Sequence, residues 1–167
     1  MTSYDRQLAH FCAPALAGIK TANLVSYCNK EYPDLDQYLS ALNSRLNKTG
    51  IYFEKLCSCS KRSLIFVYRK RLLTEYLSQE ECKAFLEALG YPIGNIDNMI
   101  AHLKNKVSNE SEFPHEIGLF LGYPLSDIEG FLINRGLNYQ LNGYWKVYSN
   151  VNQTAKKFEQ YTRCRKS

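Results

Sequence analysis

Apolar residues recur every three or four positions in several stretches of the chain, with polar residues between them, and this spacing predicts amphipathic helices. The clearest stretch covers 35–46, where Asp34 can cap the amino end of the helix. Similar spacing predicts helices over 82–89 and 96–107, and a last helix that begins near Asn152. The second half of the chain is therefore expected to be mostly helical.

The amino-terminal stretch contains two residues that interrupt helices. Pro14 and Gly18 argue against one long helix, so the sequence predicts a helix that ends near Cys12 and a loop that follows it. The short apolar element at 24–28 is compatible with either a strand or a helix.

Two stretches predict hairpins of antiparallel strands. Residues 51–57 and 64–68 flank a polar turn, and the second stretch is apolar at every position, which predicts a central strand covered on both faces. Asn142 and Gly143 both tolerate a positive φ, and they predict the turn of another hairpin at 138–148.

The tripeptide Gly-Tyr-Pro occurs twice, at 90–92 and at 122–124, each time between two apolar stretches with helical spacing. The glycine ends one helix in a left-handed conformation, and the proline prevents the helix from continuing. The two copies therefore predict two similar helix–turn–helix corners, and the polar stretch at 108–112 predicts a connection between them.

These elements predict one α+β domain over residues 1–167. Its sheet is expected to be small and mainly antiparallel, built from the two hairpins, with helices packed largely on one face. The 167 residues are 45% apolar and 22% charged, which is typical of globular domains and excludes disorder as the main state. No apolar run approaches the roughly 20 residues of a membrane helix, and the start does not resemble a secretory signal, so a cytoplasmic protein without a membrane partner is expected.

The six cysteines are spaced irregularly, and in the absence of an export signal they are expected to be reduced thiols. Cys57 and Cys59 could chelate a soft metal from the hairpin turn. A structural zinc site needs a different spacing and a second pair of ligands, however, so no metal site is predicted. The chain contains no glycine-rich phosphate loop, and its cofactor, if it has one, is left unknown.

The net charge of +5 comes from 21 lysines and arginines against 16 acidic residues, and it is spread along the chain. The basic stretch 69–71, together with Lys61 and Arg62, could form a patch at two ends of one strand. Three glutamates between positions 75 and 81 follow this stretch, so the pattern indicates a solvated rim and disfavours nucleic acid as a partner.

Two blocks of the chain carry residue types suited to a binding site or an active site. Pro114 is typical of a helix start, which places His115 and Glu116 where free backbone N–H groups favour an anion and an imidazole could transfer a proton. In the other block Cys12 lies near Lys20, and a neighbouring cation can lower the pKa of a thiol enough to make it a nucleophile. The competing interpretations are a capped helix start and a small buried cysteine beside a proline turn.

The stretch 113–124, with its Pro-His-Glu-Ile-Gly run, and Gly-Tyr-Trp-Lys-Val-Tyr at 143–148 resemble a bacterial family of uncharacterised proteins. That family is common in anaerobic Firmicutes and is catalogued as a domain of unknown function. Residues 12–24 resemble its other block, with Ala15 and Thr21 where the family pattern has threonine and proline. The resemblance covers nearly the whole chain, and it implies kinship, a single domain and an intracellular setting, but no activity.

The sequence predicts that a small ligand or cofactor binds in a cleft between the loop at 12–23 and the helix start at His115. Poor apolar periodicity in these two blocks is typical of functional sites. In this cleft Cys12 would act as a thiolate nucleophile or a soft ligand, and His115 as an acid or base. The predicted ligand-binding residues are Lys20, Asn23, Glu116, Tyr144 and Lys146. The sequence leaves open whether the protein is an enzyme.

The alternative prediction is a module that binds a partner protein, such as a redox or metal-handling protein, without catalysis. This alternative expects Tyr91, Tyr123 and Trp145 to form an exposed apolar patch. Burial of these rings would argue against it.

Overall fold

The fold is that of a computed structural model, which describes residues 1–109 and 113–166. In chain order the elements are α1 (Ser3–Leu16), β1 (Ala22–Cys28), α2 (Leu35–Leu46), a 3-10 helix (Asn47–Thr49), β2 (Ile51–Ser58), β3 (Arg62–Arg69), α3 (Lys70–Leu77), α4 (Glu80–Ala88), α5 (Ile96–Asn109), α6 (Ile117–Phe120), α7 (Leu125–Asn134), β4 (Leu141–Asn142), β5 (Lys146–Val147) and α8 (Val151–Lys166). The connection predicted at 108–112 begins inside α5, and its residues 110–112 lie outside the described ranges. Among the described helices, none is long and apolar enough to cross a membrane.

Three strands form the main sheet in the order β1–β3–β2, and both pairings are antiparallel. β2 and β3 are the hairpin predicted at 51–69, and β3 is the central strand, as its continuous apolar run predicts. β1 is the third strand of the sheet, so the apolar element at 24–28, whose type the sequence left open, is extended. A small antiparallel sheet and many helices confirm the predicted α+β class.

Side chains alternate between the two faces of β3, and helices cover both faces. Ile65 and Val67 pack with α1 and α2, whereas Phe66 and Tyr68 pack with side chains from α3 to α7. Most of these helices therefore lie on one face, as expected, while α1 and α2 enclose the other. A strand that is apolar at successive positions needs cover on both sides.

α1 continues through Pro14 to Leu16. The expectation of a helix that ends near Cys12 and is followed by a loop is therefore corrected. A proline inside a helix removes one N–H donor and leaves the carbonyl four residues earlier without its usual partner. Here that carbonyl belongs to His10, and the Arg165 Nε on α8 donates to it at 2.8 Å. The packing of α8 on α1 thus replaces the hydrogen bond that the proline deletes.

Both Gly-Tyr-Pro tripeptides connect two helices, as the sequence predicts. Gly90 follows α4 with a φ of +89°, and Gly122 follows α6 with a φ of +83°. Such angles strain residues that carry a Cβ, so these positions favour glycine.

The β4–β5 hairpin forms around residues 142 and 143, but its turn differs from the predicted one. Asn142 pairs with Lys146, which leaves three residues in the turn, and Gly143 does not adopt a positive φ. A Cβ at Gly143 would lie 2.5 Å from ring carbons of Phe158 on α8. This glycine is therefore required by a close approach between the hairpin and α8, where Trp145, Val147, Phe158 and Tyr161 form a separate apolar cluster.

We expect Gly143→Ala to lower the free energy of unfolding by about 1–3 kcal/mol, because the added methyl group overpacks the hairpin against α8. Adding Phe158→Leu should recover part of this loss, and the two changes should couple by about 1 kcal/mol in a double-mutant cycle measured by urea denaturation. Gly90→Ala is the control, because its Cβ meets open space and only its φ is strained. Equal coupling of Phe158→Leu to both glycine variants would contradict the proposed contact.

Candidate functional site

Two neighbouring cavities lie where the segment after α1, the approach to α6 and the β4–β5 hairpin come together. The larger has a volume of about 470 Å³ and the smaller about 180 Å³. They share four lining residues: Leu24, Leu121, Tyr123 and Tyr144. We call the two together the cleft. Two of these segments, the one after α1 and the approach to α6, are those between which the sequence predicts a ligand-binding cleft, and that function stays a prediction.

The large cavity has an aromatic wall that is held in place by one buried carboxylate. Tyr123 stacks on Trp145, with ring centroids 4.5 Å apart and an interplanar angle of 22°. Asp127 on α7 accepts hydrogen bonds from the Trp145 Nε1 at 2.8 Å and from the Tyr148 backbone N–H at 2.9 Å. Asp127 thereby fastens the hairpin to α7 and fixes the orientation of the indole.

His115 and Lys146 line the same cavity, and both lie near the Phe131 ring. The exposed His115 ring lies 5.4 Å from the Phe131 ring, between centroids. The Lys146 Nζ lies 5.7 Å from the same ring and donates to the Gly136 carbonyl at 2.8 Å. The imidazole and the ammonium are therefore polar groups beside a predominantly apolar cavity.

The small cavity contains a buried lysine. Lys20 is only 8% exposed, its Nζ donates to the Ala22 carbonyl at 2.5 Å, and the same atom lies 5.5 Å from the Tyr123 ring centroid. Burial lowers the pKa of Lys20 to about 7, against a weaker opposing effect of the Cys12 thiol. No carboxylate of the described chain forms an ion pair with this amine.

A second cationic side chain, Arg165, reaches the small cavity from α8. Its guanidinium carbon lies 5.3 Å from the Tyr144 ring centroid and 5.9 Å from that of Phe11. The Nε of Arg165 donates a hydrogen bond to the His10 backbone carbonyl, which anchors the guanidinium beside the cavity. Two cations and several aromatic rings thus line a space whose described lining includes no acidic residue.

Cys12 does not line either cavity. Because α1 continues past Pro14, Cys12 lies on the inner side of the helix and is fully buried among residues that cover the opposite face of the sheet. Burial raises the pKa of its thiol to about 12, although Lys20 and Arg165 both act to lower it. A neutral, enclosed thiol is a poor nucleophile, so the predicted pairing of Cys12 with His115 is not formed at the cleft.

Glu116 also points away from both cavities. It forms an ion pair with Lys106 and accepts a hydrogen bond from the Tyr91 hydroxyl at 2.9 Å. Burial acts to raise the pKa of Glu116, but these hydrogen bonds outweigh it and the net pKa is lowered. Glu116 therefore serves to hold the segment before α6 against α5.

Most of the other predicted residues do meet at the cleft. Lys20, Asn23 and Tyr144 line the small cavity, and His115, Tyr144 and Lys146 line the large one. The Asn23 side chain accepts from the Ala15 N–H at 3.0 Å, so it also secures the end of α1.

Arg165 was not among the predicted site residues, although a signal for it exists. In the last helix Phe158, Tyr161 and Arg165 are spaced three and four residues apart, which places them on one face. Once the aromatic residues of that face are buried against the hairpin, Arg165 must lie beside them.

The exposed aromatic patch of the alternative prediction is not present. Tyr91 is 3% exposed and Trp145 is 7% exposed, and both belong to apolar clusters. Tyr123 is half-buried and lines both cavities. The three rings therefore do not form an exposed patch for a partner protein.

The basic residues at 69–71, after β3, form hydrogen bonds and ion pairs with other residues of the protein. Arg69 donates to the Ala15 carbonyl at 2.8 Å and to the Leu16 carbonyl at 2.6 Å, at the end of α1. Lys70 pairs with Asp97 and Arg71 with Glu75. Within the described ranges, no group of three or more histidine, cysteine or acidic side chains is arranged to hold a metal.

Fold and site together define an α+β protein with an aromatic cleft that has cations on its lining. Residues 8–167 match the family described as "Protein of unknown function (DUF3793)", and the chain belongs to that family. The resemblance to an uncharacterised family is thereby confirmed. No curated protein and no solved structure matches the chain.

We expect Cys12 to resist alkylation by iodoacetamide in the folded protein, because its thiol is enclosed and its pKa is raised. Cys59 is the matched control, since it is exposed and backbone N–H groups of Arg62 and Lys61 lower its pKa. Peptide mass spectrometry after timed labelling should find Cys59 modified at least about a hundredfold faster, and similar rates in urea. Comparable rates in the folded protein would contradict the burial of Cys12.

Proposed function

We propose that the cleft binds a small molecule that has a flat apolar body and one acidic group. One observation carries this proposal: Lys20 is a buried amine without an acidic partner, on the lining of a cavity. Burying an unpaired ammonium costs several kcal/mol, and an anion beside it offsets that cost. A ligand that supplies the anion would complete the site.

The apolar body of the ligand would occupy the large cavity. A volume of about 470 Å³ lies within the usual range of about 300–1,000 Å³ for small-molecule sites. The stacked pair of Tyr123 and Trp145 offers flat faces, and aromatic ligands stack on such faces in offset or edge-on arrangements. Since Asp127 holds the indole, this wall is formed before the ligand arrives.

The acidic group of the ligand would occupy the small cavity, between Lys20 and Arg165. Lys20 retains N–H donors beyond the one that binds the Ala22 carbonyl, and the guanidinium of Arg165 retains donors beyond its Nε. A carboxylate, phosphate or sulfonate accepts such charge-assisted hydrogen bonds at several oxygens. His115 and Lys146, on the large cavity, would contact polar substituents of the ligand body.

Binding is tested with two probes that share an aromatic body, 8-anilinonaphthalene-1-sulfonate and the neutral N-phenyl-1-naphthylamine. We expect Lys20→Met to lower the affinity for the anionic probe by about 10- to 100-fold, the value of one charge-assisted hydrogen bond. The affinity for the neutral probe should be nearly unchanged. Fluorescence titration measures both affinities. Lys48→Met is the matched control, because Lys48 is exposed and lines neither cavity.

Failure of the wild-type protein to bind the sulfonate would overturn the proposal. So would an equal loss of both probes in Lys20→Met, since that result would indicate collapse of the cleft rather than the loss of an anion partner.

The same substitution should stabilise the protein without ligand. The pKa of Lys20 falls from its ordinary 10.5 to about 7 on folding, so the unfolded chain holds more protons between these values and stability rises with pH across this window. Below pH 7 the full cost of burying the charge weighs on the folded protein. We expect Lys20→Met to raise the free energy of unfolding by about 1–3 kcal/mol at pH 6, with a smaller gain at pH 9.

Urea denaturation at pH 6 and pH 9 measures this effect. Destabilisation by Lys20→Met at pH 6 would show that the amine supports the fold and would remove the argument from an unpaired buried cation.

A further inference from the structure

We infer that Lys20 is a nucleophilic amine that forms an imine with an aldehyde or ketone bound in the cleft, while Arg165 holds the acidic group of the same molecule. This inference rests on the proposed function and specifies its ligand as an oxo acid with an aromatic body.

The position of the Lys20 amine supports this assignment. The amine lies on the lining of the small cavity, and it is bounded by the Tyr123 ring and the Ala22 carbonyl. The small cavity adjoins the large one, because Leu24 and Leu121 belong to both linings. A molecule that extends from the large cavity past these residues would reach the amine.

The surroundings of Lys20 favour an uncharged nitrogen. Cys12 from α1 interacts electrostatically with it, and the other titratable groups on the lining of the small cavity are Tyr123, Tyr144, Tyr161 and Arg165. None of them is a carboxylate, so among the described groups only the Ala22 carbonyl and the Tyr123 ring offset a positive charge on the amine. Burial lowers the pKa of Lys20 to about 7, so its nitrogen carries a free electron pair at neutral pH far more often than that of an ordinary lysine.

Arg165 allows the acidic group to be bound while the Lys20 amine attacks the carbonyl carbon, because one amine cannot do both at the same time. In its protonated form Lys20 can bind the acidic group together with Arg165, and in its neutral form it can attack a carbonyl carbon, whereas the guanidinium of Arg165 stays charged and cannot take part in condensation. The cleft holds one group of each kind on one small cavity. An oxo acid has the two matching groups, an anion and an electrophilic carbon.

The reaction balances without a further reagent. The nitrogen electron pair of Lys20 attacks the carbonyl carbon, the C=O π pair moves to oxygen, and a proton passes from nitrogen to that oxygen. The resulting hydroxyl group takes a proton from solvent and leaves as water. The nitrogen pair then forms the C=N bond, and nitrogen returns a proton to solvent. One amine and one carbonyl give one imine and one water.

The experiment uses 4-carboxybenzaldehyde, which has a flat body, an aldehyde and a carboxylate, together with sodium cyanoborohydride. Cyanoborohydride adds hydride to the imine carbon, and the nitrogen takes a proton, so the adduct becomes permanent. Peptide mass spectrometry at pH 7 should find Lys20 labelled at least about tenfold faster than Lys48 or any other lysine. 4-Methylbenzoate, which lacks the aldehyde, should slow the labelling by competing for the cleft.

Lys20→Arg keeps the positive charge and removes the nucleophile. We expect this variant to lose the preferred adduct and to keep binding 8-anilinonaphthalene-1-sulfonate within about threefold. Lys20→Met is the second variant, in case the longer guanidinium does not fit, and it should also lose the adduct while retaining the neutral probe.

The imine proposal would be overturned if labelling were spread evenly over surface lysines. It would also be overturned if the total amount of adduct were unchanged in both variants. If the wild-type protein binds the sulfonate probe but Lys20 is not labelled by the aldehyde, the imine proposal is wrong and the binding proposal stands. If the sulfonate does not bind, the proposed function fails; preferential trapping of Lys20 would then support a reactive amine without an acid-binding site.

Discussion

The central strand β3 must bury apolar side chains on both of its faces, and the layers of the molecule follow from this requirement. Ile65 and Val67 face α1 and α2, whereas Phe66 and Tyr68 face the helices that follow β3. β1 is an edge strand of this sheet, and its residues Asn23 and Leu24 line the cleft. The cleft lies at that edge, where the two helical layers and the carboxy-terminal hairpin converge.

Two hydrogen-bonded side chains hold the parts of the cleft together. Asp127 joins the hairpin to α7 through the Trp145 indole, and Arg165 joins α8 to the carbonyl that Pro14 leaves unpaired in α1. Both contacts bridge elements that are distant in sequence, so they fix the walls before any ligand is present. A preformed wall reduces the entropy that binding would otherwise lose.

Lys20 is the residue at which stability and the proposed function oppose each other. A buried amine without an acidic partner destabilises the free protein, and an apolar residue of similar length would remove that cost. Natural proteins accept such costs mainly at sites that bind or react. Cys12 illustrates the contrast, because its thiol is as deeply buried as Lys20 but stays neutral and packs as a small apolar side chain.

Local patterns were sufficient to predict the α+β class and the 51–69 hairpin with its central strand. The predicted use of the cleft as a ligand site stays a prediction. Periodicity and turn residues act over a few positions, so the sequence carries them directly. Tertiary contacts decided the rest. α1 continues past Pro14, and Arg165, 151 positions away, satisfies the freed carbonyl. Cys12 lies in the core, and Lys20 and Arg165 line the small cavity. No spacing rule encodes which distant side chain replaces a missing hydrogen bond, since that depends on how whole layers pack.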